Sequence, residues 1–367
     1  MLNGLKVIEI EGIGPGPFAA MMLADLGADV TVVHREDVPV EGMTDKSLLD
    51  RGKKSILLNL KTQEGKSCVR ELVRTADIII EGMRPGTMEK LGLGPDDLHA
   101  INPALIYGRV TGWGQYGPRS KAAGHDLNYI ALSGALWYAS PPGQAPFTPP
   151  TLLGDIAGGA LYLVAGVLSA LYRVGRTGRG TVVDAAIVDG SAHMMNLIMY
   201  MTGIGAFSET RGHSMLDGPH WSRCYQCSDG LWMSVQCLEP QFYNAFLNKL
   251  KLDQDTEFLL QRNPVLWKTL GSRLEEIFSK HPQQHWIALF EQSDACVSPV
   301  LSPKSSQQDA HMKARSVWTT ADGFLQAAPA PRFIANTHSH ETPKAIPKRG
   351  QHTDEILNAV KKERTEL

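Results

Sequence analysis

Lys6-Val-Ile-Glu-Ile10, Gly12-Ile-Gly14-Pro-Gly16-Pro17, an apolar stretch to Leu26, then Gly27 and Asp29-Val-Thr-Val-Val33: this run decides the fold. The two β-branched pentads read as strands. Pro17 suits a first helical turn, apolar residues recur at helical spacing to Leu26, and Gly27 ends the helix. The unit is therefore β-α-β. The rhythm repeats outward, with strands expected at 55–59, 76–80 and 104–108 and an amphipathic helix at 65–74. Alternation of this kind predicts an α/β fold, a large Rossmann-like domain built on a parallel sheet.

Beyond it the character changes. Residues 138–150 hold five prolines and no periodicity, so they read as a loop. A helix is expected at 155–173, a strand at 181–185 and a Met- and Gly-rich helix at 189–207, followed by an irregular stretch at 212–225. A smaller α/β domain begins near Leu231, with a strand to Gln236 and helices at 241–250, 264–279 and 283–291. Pro- and Ser-rich sequence at 299–307 and 329–331 leads out of it, and a short charged helix covers 353–362. The expected organisation is a large domain at 1–190, a linker at 191–224, a small domain at 225–310, and a return to the large domain at 311–367.

The 367 residues allow a full core and two structural units. With 36 basic and 38 acidic residues and no basic stripe, nothing points to nucleic acid. Five scattered cysteines fit a reducing compartment. Cys224-Tyr-Gln-Cys227 is a single CxxC without a second pair, which suits ordinary burial of thiols better than a metal site, and no metal is expected. The N-terminus enters a strand directly, without a charged and then apolar leader, so the expectation is a cytoplasmic chain. The longest apolar stretch, 156–172, is short for a membrane span and reads as a core helix.

Several segments carry chemistry. The glycine cluster at 12–16 is not GxGxxG, and the second strand ends in His34-Arg35 rather than an acidic residue, which disfavours dinucleotide binding. Arg35 suits a phosphate; a tight turn beside a solvated arginine fits equally well. Arg51-Gly-Lys53-Lys54 and Met83-Arg84-Pro-Gly-Thr-Met-Glu-Lys90 place further cations at strand edges, where a polyanion or plain solvent would suit them. His125, in Gly124-His-Asp-Leu-Asn-Tyr129, is either a structural imidazole or an acid/base. Asp155, in Leu153-Gly-Asp-Ile-Ala-Gly-Gly159, is an N-cap or, with its own amide, a receptor for a negative oxygen. Gly158 and Gly159 leave room for a substrate against the backbone. Glu239 precedes Pro240 as an isolated loop carboxylate. One imidazole and two carboxylates at the edges of apolar segments suit the transfer of a carbon-bound proton.

An ordered set of motifs then identifies a family. It comprises the 12–30 opening, RPGTMEKLGLGP at 84–95, IYGRVTGWGQYGP at 106–118, GHDLNYIALSG at 124–134, GDIAGG at 154–159, EPQFY at 239–243 and DACVSPV at 294–300. Over almost its whole length the chain resembles the family III CoA-transferase superfamily, and within it the branch of 2-methylacyl-CoA racemases. The resemblance implies that His125, assisted by Glu239, and Asp155 exchange the α-proton of a 2-methylacyl-CoA or 2-aryl analogue through an enolate held by the Asp155 amide. It implies CoA contacts at Ile13, Arg35, Leu58, Lys61, Arg84, Lys90, Gly124, Asp126 and Tyr129. No separate cofactor is implied, because coenzyme A is part of the substrate. It implies an interlocked homodimer with the site shared between subunits. The alternative in the same superfamily is a CoA-transferase with Asp155 as nucleophile; a CoA-binding protein without activity is a third reading. The chain departs from the family at Leu216-Asp-Gly-Pro-His-Trp-Ser-Arg-Cys-Tyr225, where LDGGAPxY is common. Thr151 stands for a common Asn, and Lys90 for an Arg of some members. His220, Trp221 and Arg223 are accordingly expected to add bulk and polarity near the acyl pocket.

Overall fold

A computed structural model describes residues 1–36, 45–333 and 343–366. Two compact units emerge. The first comprises Met1–Ala135, Pro149–Met194 and Ala310–Leu367; the second comprises Leu136–Thr148 and Met195–Asp309.

In the first unit the elements run β1 (Lys6–Ile10), α1 (Pro15–Asp25), β2 (Asp29–His34), β3 (Lys54–Leu57), α2 (Gln63–Arg74), β4 (Ile78–Glu81), α3 (Thr87–Lys90), α4 (Pro95–His99), β5 (Ile106–Thr111), α5 (Asp126–Ser133), a π-helical turn (Leu152–Ala160), α6 (Leu161–Thr177), β6 (Thr181–Ala186) and α7 (Ile187–Met194). The six strands pair in parallel in the order β3-β2-β1-β4-β5-β6. Alternation fills both faces. Val7, Val30, Ile78 and Ile80 meet Leu23 of α1 and Leu163 and Val167 of α6. Ile8, Ile10, Val33, Ile56 and Ile79 meet Val69 and Val73 of α2 on the other side. The direction of strand order reverses between β1 and β4, and loops leaving the carboxyl ends there form the crevice where such sheets bind ligands.

The second unit holds α8 (Asn196–Gly203), β7 (Ser222–Gln226), β8 (Trp232–Gln236), α9 (Pro240–Leu250), α10 (Trp267–Phe278), α11 (Gln283–Phe290), β9 (Val297–Val300) and α12 (Pro303–Ser306). Its strands form an antiparallel sheet in the order β7-β8-β9 over an aromatic core that includes Trp221, Tyr225, Phe246, Phe278 and Trp286. The chain then returns to the first unit through α13 (Ala310–Ala314), a hairpin of β10 (Trp318–Ala321) and β11 (Phe324–Ala327), and α14 (Thr353–Glu366).

Four sequence expectations need correction. The helix read over 189–207 is two, α7 and α8: α7 packs against the π-turn, whereas α8 buries none of its residues. The irregular stretch 212–225 ends in strand β7. Residues 297–300 pair with β8, because Pro299 sits on an edge strand where a missing N–H costs no ladder bond. The apolar helix is longer than read, 26 residues from Leu152 to Thr177, which is enough to cross a membrane by length and composition. Leu163, Val164, Val167 and Ala170 nevertheless lie in the core against the sheet, and the helix serves as a core element.

Candidate active site

The segment after β5 is fixed by its own motif. The Tyr129 ring stands edge-on to Trp113 at 4.7 Å, and its hydroxyl donates to the Gly124 carbonyl. A Cβ on Gly124 would stand 2.7 Å from that ring, and one on Gly112 would overlap it. The two glycines are therefore what lets the ring lie flat against the backbone. His125 occupies the N-cap position of α5, and Asn128 Oδ1 accepts its backbone N–H at 3.0 Å. The imidazole is exposed. Asp126, the first residue of α5, is buried.

The facing element is the π-turn. Thr151 precedes it with φ +62° and provides no side-chain cap, and the Ile156 N–H reaches the Thr151 carbonyl five residues back. π-turns recur at functional sites. Asp155 lies in the first part of this turn, half-buried. A Cβ on Gly14, itself at φ +74°, would stand 3.5 Å from Asp155 Oδ2. The glycine cluster after β1 thus brings backbone close to a carboxylate of its own chain. Burial pushes the Asp155 carboxyl up, the Asp126 charge adds to this, His125 partly offsets it, and the result is a pKa of about 6. An imidazole and a carboxyl that titrates near neutrality therefore come from two elements at the carboxyl edge of one sheet.

Three expectations at this site are overturned. Asp155 is not an N-cap; Thr151 holds that position. The Asp155 amide is not open to a substrate oxygen, since it donates to Asp126 Oδ1 at 2.8 Å, and the Gly154 N–H donates to the same oxygen at 2.9 Å. Gly158 and Gly159 leave no substrate space. Side chains on them would meet Ser191 N at 2.9 Å and Ile187 Cγ1 at 2.9 Å, so they admit α7.

Glu239 lies in the second unit, exposed, at the N-cap position of α9, and belongs to a different unit from His125 and Asp155. Ile13 follows β1, Arg35 follows β2, Leu58 and Lys61 follow β3, and Arg84 and Lys90 follow β4, all beyond the carboxyl ends of parallel strands. Ile13, Arg35, Lys61, Arg84 and Lys90 are exposed; Leu58 is buried. Arg35 shares Glu11 with Arg349. Two of the three cations of 51–54 are different, whereas Lys54 stays partly exposed. Arg51 is buried on Asp25, and Lys53 is buried between Glu9 at 2.5 Å and Asp50 at 3.4 Å, so neither is available to a polyanion. His220 and Trp221 are also core residues, wholly buried in the second unit, where His220 Nε2 lies 2.7 Å from the Tyr243 hydroxyl. Arg223 pairs with Glu275. Within the 216–225 departure His220, Trp221 and Tyr225 thus lie in the core of the second unit, and Arg223 stays at its surface. Among the described residues no group of three His, Cys, Asp or Glu side chains could hold a metal ion. Sequence reading missed the link from Asp126 to Asp155, for which an acidic residue at the first position of a helix was the only local sign.

The family model described as CoA-transferase family III matches residues 2–353. Alpha-methylacyl-CoA racemase of Mus musculus is 38% identical over 360 residues, 97% of this chain and 92% of that one. Acetyl-CoA:oxalate CoA-transferase of Acetobacter aceti is 29% identical, over 94% of this chain and 92% of that one. Among solved structures, a CAIB/BAIF family protein from Brucella suis superposes with a TM-score of 0.81 at 26% identity, covering 98% of each chain.

Proposed function

Because the chain belongs to CoA-transferase family III, we propose that it racemises the α-carbon of a 2-methylacyl-CoA or a 2-aryl analogue by proton transfer through an enolate. The observation that carries this reading is Asp155, raised to about 6 beside His125. A carboxyl at that value is both a usable base and a usable acid near neutral pH. In one direction Asp155 takes the α-proton, the C–H electron pair delocalises onto the thioester oxygen, and protonated His125 returns a proton to the opposite face. The reverse direction exchanges the roles. Glu239 assists His125, and in the homodimer we propose it comes from the second subunit. Arg35, Arg84 and Lys90 meet the CoA phosphates, with Ile13, Leu58 and Lys61 around the nucleotide. Gly124, Asp126 and Tyr129 shape the wall that carries His125. Coenzyme A enters as part of the substrate, and no further cofactor takes part in these steps.

A second reading is favoured by the likeness to curated CoA-transferases: Asp155 attacks the acyl-CoA carbonyl, expels the CoA thiolate and forms an acyl anhydride. One experiment separates the two. The enzyme is incubated with (R)-2-methylacyl-CoA in D₂O without an acceptor acid. α-Deuterium incorporation with loss of optical purity is the expected result. No incorporation, together with a new thioester once a free carboxylic acid is added, would replace the racemase reading with the transferase. His125→Ala should lose at least about 100-fold in exchange, the lower range for an acid/base group, while CoA binding persists.

A further inference from the structure

We propose that Asp126 is a positioning residue that locks the two acid/base groups to each other. This rests on the racemase reading of the same site. His125 and Asp155 lie on different elements, and nothing local to the π-turn caps its start, since Thr151 provides no side-chain cap. The cap comes from another helix. Asp126, adjacent to His125 at the start of α5, places Oδ1 at 2.9 Å from Gly154 N and 2.8 Å from Asp155 N. Both bonds are charge-assisted, the one to Gly154 buried and the one to Asp155 part-buried, which makes them strong and directional. Gly154 is the complement: a Cβ there would stand 2.4 Å from Asp126 Oδ1 and 2.9 Å from Ile130 Cγ2. The backbone of one acid/base group is thereby tied to the side chain next to the other. The same carboxylate acts on Asp155 through its charge. His125, at the start of α5, acts on Asp155 in the opposite direction, and burial followed by the Asp155 charge pushes the Tyr129 phenol up. From α1 the facing backbone is the uncharged Gly14-Pro15 turn. On α7, Asp189 is coupled to Asp184 and His193 is held by Tyr162.

The resemblance places Asp126 against coenzyme A instead, and the two roles predict different data. Asp126→Asn keeps an acceptor oxygen and removes the charge; Asp126→Ala removes both. In the full-length protein the Asp155 carboxyl is titrated by ¹³C NMR, with Asp155→Asn assigning the signal. CoA affinity is measured by calorimetry, and exchange by its pH profile and by kcat against KM. In Asp126→Asn the Asp155 midpoint should fall below about 6, and the acid limb of kcat should move down with it. CoA affinity should stay within about twofold, well under 1 kcal/mol. In Asp126→Ala kcat should fall on the order of 10²-fold with KM little changed, the effect expected of a misplaced reacting group. An unmoved Asp155 midpoint in Asp126→Asn, or CoA affinity lost about tenfold in that variant, would overturn the positioning role. If the wild type exchanges no α-proton while the midpoint still responds to Asp126, the racemase reading fails and the coupling stands.

Discussion

At Asp155 burial and the Asp126 carboxylate act in the same direction, and His125 only partly offsets them. The acid limb of exchange should therefore lie near pH 6, because Asp155 acts as base only when ionised. The same shift acts on stability. A carboxyl whose folded pKa lies above its ordinary value binds protons more tightly when folded, so stability falls as pH rises from about 4 to 6. Asp155→Asn should consequently be more stable than wild type at pH 7, by about 1 kcal/mol once the half-exposure of the group is allowed for, and should gain little at pH 4. Urea denaturation at the two pH values checks this; an equal gain at both would refute the charge argument. His220 is the opposite case. Burial alone pushes it down to about 3, and its Nδ1 has no partner among the described residues. Its contribution is intact above the unfolded value near 6.5 and is lost as pH falls below it. Between pH 6.5 and 5 the loss should reach about 2 kcal/mol. His220→Gln, which takes up no proton, should flatten that dependence in a chemical denaturation series. An unchanged slope in the variant would assign the acid sensitivity to other groups.

The π-turn and α7 show what an element adds to its residues. Gly158 and Gly190 let the two backbones touch: a Cβ on Gly190 would stand 1.9 Å from the Gly158 carbonyl oxygen. Backbone on both sides leaves no side chain to move aside. Gly190→Ala should cost more than about 3 kcal/mol, at or beyond the upper end of overpacking penalties, and a stability within about 1 kcal/mol of wild type would show that the helices separate freely. Legibility in the sequence divides at this level. Strands β1, β2 and β4 were readable because Val and Ile runs pack on both faces of a parallel sheet. The His125 and Asp155 motifs were readable as chemistry. The π-turn was not, since apolar spacing over one turn does not distinguish a bond to the fourth residue back from one to the fifth. Nor was the direction of the cations. Arg51 and Lys53 look like the exposed Arg84 and Lys90 in one dimension, yet Asp25 and Glu9, which bury them, lie 26 and 44 residues away. The β10–β11 hairpin has a local signature. Asp322-Gly323, both at positive φ between two strands, is the commonest signal for a two-residue turn.

At the scale of the whole molecule, the sheet order fixes where chemistry can occur. The reversal between β1 and β4 sets the Gly12–Gly16 loop beside the Asp155 carboxyl, and the segment after β5 adds His125. Glu239 resides in the second unit. That unit also carries α8, which buries none of its residues and exposes Leu197, Met199 and Tyr200. Three large apolar side chains exposed on one helix suit an interaction face. A second copy of the chain is the occupant we propose, so the protein should run near 80 kDa in light scattering, twice 40.1 kDa. Whether a site draws on both subunits is decided by complementation. If His125 and Glu239 of one site come from different chains, a heterodimer of His125→Ala and Glu239→Gln subunits has one site with both substitutions and one site with neither. Coexpression should then recover about a quarter of wild-type exchange, because about half of randomly paired symmetric dimers are mixed and each mixed dimer has one intact site. If each site is built from a single chain, every site in every dimer carries one substitution. Activity would then stay at the average of the two variants, and the shared site would be ruled out even with the dimer intact.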